Sequence, residues 1–438
     1  MQSVWSGCST GASSTTSINV LHRALGFLLA IAATFPAVSL PQETEYEFGG
    51  HVKGRVLGQS FADDSAFRQL TDATSFDIES DLRLNFEASR DRWAFDAAYQ
   101  LFAGYGDRIN PAGLLPGGPG NRLPDDDRRF FDLTQAIDDD GKFVALHRLD
   151  RLWVGYANDK AVIRFGRQAL SWGNGLIFSP MDLVNPFDPA QVDTEYKSGD
   201  DMLYGQYLRD NGDDIQFAYV IRRDIVSGDP EFDQSSLAAK YHRMAAEGEF
   251  DLLIASNYGD TTFAVGGNRN IGGAVWRGDV VFTDAASGNK LQLVTSLSYS
   301  WTWGGKNVSG VLEYYFDEFG QKDEQYDTAS LAQNTELLER LLRGQSFTIG
   351  RHYIGGALTI EMTPLWILTP TLFANVEDRS ALVQIVTRHS LAEDMEFIGA
   401  LNVPLGPNGS EYGGIALDMS GLYLSTEASL FAQLAWYF

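Results

Sequence analysis

The chain ends in a long segment with two unlike faces. Residues 421–438 read Gly-Leu-Tyr-Leu-Ser-Thr-Glu-Ala-Ser-Leu-Phe-Ala-Gln-Leu-Ala-Trp-Tyr-Phe. Counted back in twos from the C-terminus, one row is apolar throughout: Phe438, Trp436, Leu434, Ala432, Leu430 and Ala428. The alternate row is mixed and becomes more polar: Tyr437, Ala435, Gln433, Phe431, Ser429 and Glu427. A period of two indicates a β-strand whose faces meet different surroundings.

The same alternation recurs along most of the chain and is clearest at 76–88. There an apolar face alternates with a face that carries Asp77, Glu79, Asp81, Arg83, Asn85 and Glu87. This row is about as long as the roughly 9–11 residues of a tilted membrane-spanning strand, whereas strands of soluble proteins average roughly 5–6. We predict 18 strands, at 47–60, 76–88, 93–103, 147–157, 161–172, 201–209, 215–222, 236–246, 249–258, 261–267, 272–283, 291–303, 306–316, 351–362, 365–376, 381–391, 395–404 and 421–438.

The connections between these strands sort into two sets. With the C-terminus in the periplasm, the short turns fall on the periplasmic side, at 89–91, 157–160, 210–213, 247–249, 304–306, 363–364 and 392–394. The long connections fall on the other side, at 106–140, 173–200, 225–235, 318–349 and 405–420. Short periplasmic turns and long outer loops are typical of a membrane barrel. The sequence therefore predicts an all-β fold, a single transmembrane antiparallel β-barrel of about 18 strands.

Two local irregularities qualify this prediction. The weakest strand, 261–267, runs into a predicted Gly-Gly-Asn-Arg-Asn turn at 266–270, and a miscount nearby lowers the number of strands to 16. Alternation also fails at Gly166-Arg167, which predicts a β-bulge there.

Composition and the N-terminal segment place the barrel outside the cytoplasm. The chain has 438 residues and a formal net charge of −25, which excludes nucleic acid as a partner because phosphate binding needs clustered Lys and Arg. The apolar run 24–35 follows Arg23 and precedes Ala37-Val38-Ser39, a pattern that predicts a secretory signal peptide over 1–39. The polar first 19 residues suggest a true start near Val20. The barrel then occupies 40–438.

Residues 164–201 hold the most distinctive motif. The strand end Gly-Arg-Gln-Ala-Leu-Ser-Trp-Gly at 166–173, followed by an Asn-Pro-rich segment, resembles outer-membrane barrels of the alginate-export and related porin-like type. The resemblance implies a transport protein for polymers or small solutes. Because the following segment is also apolar, we expect the loop 173–200 to fold inward and narrow the lumen. Bracing of the wall and gating of the lumen are both open as its role. The predicted constriction residues are Asn174, Leu176, Phe178, Met181, Asp182, Asn185, Phe187 and Asp188.

Charges of both signs fall on the predicted inner faces. The predicted pore-lining residues are Asp77, Glu79, Asp81, Arg83, Asp96, Arg222, Arg277, Asp279, Glu313 and Arg388, and Glu427 shares this orientation. Such a lumen passes or binds polar solutes, and an excess of carboxylates favours cations. The alternative is that these charges pair with each other and only hydrate and stiffen the wall.

The outer loops give weaker signals. Carboxylate runs at 125–127 and 138–140 lack the spacing of a calcium loop, so a solvated loop is favoured over a calcium or lipopolysaccharide-cation site. In loop 318–349, the capping-box pattern from Ser330 to Gln333 precedes a leucine-rich segment, which predicts a short amphipathic helix.

We expect a channel or transporter of the cell outer membrane rather than an enzyme. The histidines beyond residue 39 stand isolated from any nucleophile motif, and no metal-ligand spacing occurs, so catalytic residues, metals and cofactors are predicted to be none. The alternatives are a plugged barrel that serves an export system, an adhesin, or a channel for hydrophobic compounds. The expected partners are outer-membrane lipid, lipopolysaccharide and the barrel-assembly machinery, which reads the terminal Trp436 and Phe438.

Overall fold

The computed structural model describes residues 44–69, 71–107, 124–322, 324, 326–417 and 421–438. The predicted signal peptide lies outside these residues. Among the described residues, no helix is long and apolar enough to cross a membrane.

Within the described ranges, 21 strands form, and 18 of them close into one antiparallel barrel. The barrel strands are β1 (Glu45–Ser60), β2 (Thr74–Arg90), β3 (Trp93–Gly106), β5 (Phe143–Ala157), β6 (Ala161–Gln168), β7 (Asp200–Leu208), β8 (Asp214–Val220), β9 (Ser236–Ala245), β10 (Gly248–Asn257), β11 (Asp260–Ile271), β12 (Ala274–Ala285), β13 (Gly288–Trp303), β14 (Lys306–Asp317), β15 (His352–Thr363), β16 (Trp366–Asn375), β17 (Ser380–Ala392), β18 (Met395–Leu405) and β21 (Ser429–Tyr437). Each strand pairs with its neighbours along the chain, which confirms the predicted fold class and the number of 18.

In the described part of the chain, the long loops also contain three short strands and two α-helices. The strands are β4 (Thr134–Asp140), which pairs with the first half of β5, and β19 (Ile415–Leu417) and β20 (Leu422–Leu424), which pair with each other. The helices are α1 (Thr328–Gln333) and α2 (Thr335–Leu342). The predicted helix is therefore two helices. Asp327 caps α1, with Ser330 at the third position of the capping box rather than at its start.

The last strand closes the barrel. β21 pairs with β18 on one side and with β1 on the other, so that Trp436 lies opposite both Met395 and Val52. The backbones of Gly50 and Phe438 exchange two hydrogen bonds at this seam, of 2.9 and 3.1 Å. Closure leaves the barrel without a free strand edge, which a hydrocarbon environment requires.

The two faces of each strand meet different surroundings, as the alternation predicts. In β21 the side chains of Leu430, Leu434 and Trp436 are exposed on the outer face, while Gln433 and Ala435 are buried on the inner face. Exposed tryptophans also gather on the outer face near the periplasmic ends of the strands, at Trp93, Trp303, Trp366 and Trp436. An apolar outer belt with an aromatic girdle fits a lipid bilayer.

The connections on the two sides of the barrel differ in length as predicted, except that three extracellular turns, at 258–259, 286–287 and 376–379, are short. Every periplasmic turn among the described strands has two to five residues, whereas the extracellular side carries the loops 61–73, 107–142, 169–199, 221–235, 318–351 and 406–428. The turn predicted at 266–270 is wrong, because β11 continues to Ile271. Position 266 requires a glycine, because a Cβ atom there would overlap Asp279 Oδ1 and lie 2.8 Å from Asn174 Nδ2.

The irregularity predicted at Gly166-Arg167 lies on the neighbouring strand. β6 pairs regularly up to Gln168, where it ends four residues earlier than predicted, and Gly166 has a φ of +125°. The pairing of β3 with β5 instead shifts at Asp150, so this residue forms the bulge. The bulge turns the Asp150 carboxylate toward three arginines of the inner wall, Arg83, Arg148 and Arg151.

Candidate constriction site in the lumen

The loop between β6 and β7, residues 169–199, folds into the barrel and is called the lumen loop below. Its first part is held by carboxylates of the opposite wall. Asn174 donates its backbone N–H to Asp279 Oδ2 at 2.7 Å, and its side-chain amide to Asp279 Oδ1 at 2.8 Å and Asp251 Oδ2 at 3.2 Å. The lumen loop is thus tied to β10 and β12, far along the barrel from its own strands.

Glu313 of β14 holds the next three residues. Its carboxylate accepts the backbone N–H groups of Leu176, Ile177 and Phe178, at 2.8, 3.1 and 2.6 Å. The ring of Phe178 stacks on Tyr315, with centroids 4.7 Å apart and an interplanar angle of 9°. Hydrogen bonds to an ionised acceptor are stronger than neutral ones, so this contact fixes the backbone as well as the side chain.

The middle of the lumen loop packs on the wall through Met181 and an internal ion pair. Met181 is fully buried in one apolar cluster with Trp172. Lys197 Nζ donates to Asp182 Oδ2 at 2.6 Å and to Leu170 O at 2.6 Å. Burial raises the pKa of Asp182 to about 6, in spite of the Lys197 ammonium group beside it. The ion pair of Asp182 and Lys197 therefore links the first and the last part of the lumen loop in an environment shielded from water.

The last part of the lumen loop is tied to β1 by charge. Lys53 lies 2.7 Å from both Asp193 and Glu195, and Arg55 lies 3.3 Å from Asp193. Burial opposes ionisation of Asp193, but the two cations outweigh it and lower the pKa of this carboxyl to about 2. Tyr437 of the closing strand donates to Glu195 at 2.9 Å. The lumen loop thus contacts walls all around the barrel.

Two main cavities remain beside the lumen loop. The larger has a volume of about 730 Å³ and lies against the charged wall of β1, β2 and β5. The smaller, of about 510 Å³, lies between the loop and β15–β17. Asp188 lines both cavities. The lumen is therefore narrowed but not filled by the loop.

The wall of the larger cavity is a network of opposite charges. Asp150 pairs with Arg83 at 2.9 Å, Arg148 at 3.3 Å and Arg151 at 2.7 Å. Arg55 lies 3.9 Å from Glu79 and 3.5 Å from Asp81 on the neighbouring strand. Charges of both signs are thus fixed at short spacing, an arrangement that suits polar solutes and disfavours apolar ones.

Nine of the ten predicted pore-lining residues divide into three groups. Asp77, Glu79, Asp81 and Arg83 line the larger cavity, whereas Asp279 and Glu313 hold the lumen loop. Three others face inward but bond to the wall: Asp96 accepts from Trp153 at 3.2 Å, Arg277 donates to Ser298 at 2.9 Å, and Arg388 pairs with Glu396 at 3.3 Å.

Two charged residues are placed differently from the prediction. Arg222 lies beyond the end of β8, where it pairs with Asp200 at 3.0 Å, because the strand stops at Val220. Glu427 precedes β21 and is exposed. In both cases the prediction continues the inward and outward alternation of side chains beyond the residue at which the chain leaves the sheet.

The predicted constriction residues also differ in role. Asn174, Phe178, Met181 and Asp182 hold the loop in place through the contacts above. Leu176, Phe187 and Asp188 line the smaller cavity. Asn185 has a φ of +48° and donates to Ser198 O at 3.4 Å, so it shapes a turn in the loop.

Sequence reasoning missed the side chains that join the lumen loop to β1. Lys53 and Arg55 stand on the inner row of a predicted strand, so their orientation was available from alternation. Their partners Asp193 and Glu195 are separated from them in the sequence by about a third of the length of the chain. No local pattern in the sequence indicates a pairing over that distance. The carboxylate run at 125–127 was expected to be solvated, yet Asp126 is buried and pairs with Arg167 at 2.9 Å.

Comparisons with known proteins agree on the fold. No family model and no curated protein matches the sequence. Among solved structures, Wzi of Escherichia coli, described as an outer-membrane protein involved in group 1 capsule assembly and a carbohydrate-binding β-barrel, is 11% identical, with a TM-score of 0.50 over 97% of this chain and 89% of its own. OccAB4 of Acinetobacter baumannii is 7% identical, with a TM-score of 0.53 over 91% and 99% of the two chains. A BenF-like porin of Pseudomonas fluorescens Pf-5 is 8% identical, with a TM-score of 0.51 over 90% and 98%.

The closed barrel, its apolar outer belt and this likeness in fold define an outer-membrane β-barrel of the porin-like type. The predicted resemblance and the predicted location in the outer membrane are thereby confirmed. In the part of the chain that the structure describes, no group of three His, Cys, Asp or Glu side chains is arranged to hold a metal ion.

Proposed function

We propose that this protein is a channel that passes small polar solutes across the outer membrane, beside the lumen loop. The observation that carries the proposal is the cavity of about 730 Å³, which leaves space between an inward-folded loop and a wall of fixed charges. A barrel of this size has a lumen wide enough for solutes, and the loop sets how much of it is free.

The character of the cavity walls supports polar solutes over hydrophobic ones. Of the apolar side chains of the lumen loop that could line a path for hydrophobic solutes, Phe178 and Met181 are buried against the wall. Leu176 and Phe187 line the smaller cavity together with the polar groups of Ser171 and Asp182. Polar groups therefore line both cavities, and the charged groups are concentrated in the larger one.

The fixation of the lumen loop supports small solutes over an exported polymer. The loop is held at Asp279, at Glu313 and at Lys53, which lie on three separate parts of the wall. A polymer would need the loop to leave these contacts along much of its length. Small molecules need only the space that the cavities already provide.

A second candidate is a barrel closed at its outer end that binds carbohydrate or serves an export system. It is favoured by an apolar cluster in which three extracellular loops meet, through Phe61, Phe67, Tyr326, Ile415 and Leu424. Wzi, which shares the fold, is a carbohydrate-binding barrel, and that activity is the natural form of this candidate.

The proposed partners follow from the outer surface. Lipid contacts the apolar belt, and lipopolysaccharide contacts the extracellular rim. The barrel-assembly machinery recognises β21 through Trp436 and Phe438, whose side chains are exposed on the outer face. Nucleic acid is excluded by charge, as above.

Swelling of proteoliposomes in isotonic solutions of graded polar solutes tests the channel. Folded protein is expected to admit amino acids and monosaccharides and to exclude longer oligosaccharides, because the lumen loop leaves only the two cavities. Liposomes without protein are the control. A folded barrel that admits none of these solutes contradicts the proposal and favours the second candidate, which oligosaccharide binding measured by calorimetry then tests.

A further inference from the structure

Asp188 occupies a special place in the lumen. The larger and the smaller cavity lie on different sides of the lumen loop, and within the described residues Asp188 is the one side chain that lines both. A solute that moves from one cavity to the other therefore passes this carboxylate.

The carboxylate of Asp188 lies open to the cavities. Its side chain is exposed to solvent, and Oδ1 accepts the backbone N–H of Ala190 at 2.8 Å, a contact that fixes its direction. It nevertheless lies deep in the barrel, where burial raises the pKa of Asp188 from its ordinary value and the Ala190 N–H opposes that rise.

Asp188 also differs from its neighbours in lacking a cationic partner. Asp182 pairs with Lys197 at 2.6 Å and Asp193 with Lys53 at 2.7 Å, so the charges of these two loop carboxylates are compensated. Across the described part of the chain, no Lys or Arg nitrogen lies within 4.0 Å of Asp188. Its charge is thus available to a passing solute.

The surrounding wall has the same sign. Apart from Asp188, the larger cavity is lined by five carboxylates and four Lys or Arg side chains, an excess of one negative charge that Asp188 raises to two. Because most of these wall charges pair with each other, the uncompensated carboxylate of Asp188 contributes most to the preference of the passage for cations over anions.

We propose that Asp188 is the specificity-determining residue of the channel and that it makes the channel prefer cationic solutes. This inference rests on the channel function proposed above. Fixed charge at a narrow part of a pore selects ions of the opposite sign, and the effect falls with distance because salt screens it.

Reversal potentials in planar bilayers across a KCl gradient test this inference. The wild-type protein is expected to favour K⁺ over Cl⁻, and D188N is expected to lower the permeability ratio about fivefold, the factor that two unit charges about 4 Å apart in water imply. D188E keeps the carboxylate and should keep the preference. D63N removes an equal charge from an exposed extracellular loop and should leave the ratio unchanged.

The outcomes separate this inference from the proposed function. Open pores without cation preference, or a D188N variant with the wild-type permeability ratio, contradict the role of Asp188 while leaving the channel intact. A folded wild-type barrel that shows no pores contradicts the channel itself, and the role of Asp188 with it. Heat-modifiable electrophoretic mobility establishes folding of each variant beforehand.

Discussion

Glu313 shows how a single side chain positions the lumen loop. It is buried on the inner face of β14 and accepts three backbone N–H groups that would otherwise lack partners inside the barrel. Its inward direction was predictable from alternation, but its role was not. The loop residues that it binds are separated from it by more than 130 positions, and backbone donors leave no mark in a sequence.

Substitution of Glu313 should loosen the lumen loop without opening the wall. In E313Q, one oxygen is replaced by an amide that faces backbone donors, so at least one N–H of the loop loses its acceptor. We expect the unfolding free energy in detergent to fall by about 2 kcal/mol, as for the loss of hydrogen bonds to a charged group. E361Q changes a carboxylate of the same wall that bonds Asn307, away from the loop, and is the matched control. Equal stability of the two variants would contradict this role.

At the scale of elements, the extracellular loops join at a half-buried carboxylate. Glu411 of loop 406–428 accepts from Tyr353 at 2.5 Å, from Asn375 at 2.9 Å and from the Ile349 N–H at 3.1 Å. Its own N–H donates to Asp378 at 2.7 Å. Burial, reinforced by the neighbouring Asp378, raises the pKa of Glu411 to about 7.

This pKa makes the contact of the loops depend on pH. The unfolded carboxyl ionises near 4.5 and the folded one near 7, so the folded state binds the proton more tightly. The stabilisation is complete below about 4.5 and is lost as the pH rises to about 7, a change of about 3 kcal/mol. We expect the thermal midpoint in detergent to fall between pH 5 and 8, and E411Q to remove most of that fall. E427Q, at an exposed site in the same loop, should keep it. An E411Q variant with the wild-type pH dependence would refute this account.

The elements also show which parts of the fold follow from local pattern. The strands could be located from the sequence because the membrane on one face and the lumen on the other impose a period of two on the side chains of every strand. For the weak strand β11, only the predicted length was wrong. The error in the length of β11 came from Gly266 and Gly267, which in isolation indicate a turn. In the barrel, Gly266 gives room to Asn174 and Asp279, and Gly267 lies against the backbone of Glu249. The path of the lumen loop could be predicted as inward from its apolar residues, whereas its ion pairs with β1 depend on the closed barrel.

At the scale of the molecule, the barrel provides a rigid frame and the lumen loop sets its free cross-section. Closure by β21 joins the two ends of the described chain, so the wall resists the removal of a single loop. The lumen loop, in contrast, is held to the wall by side-chain contacts, both polar and apolar, and not by strand pairing. The wall therefore defines the fold, and the lumen loop defines which solutes pass.

Single-channel conductance in planar bilayers tests this separation most directly, with the intact protein and a variant in which 176–187 is replaced by a Gly/Ser linker. We expect discrete conductance steps in both proteins and larger steps in the variant, because the segment held by Glu313 no longer narrows the lumen. Silence of the intact, folded protein, or equal steps in the two proteins, would contradict a lumen that is open but narrowed by this loop.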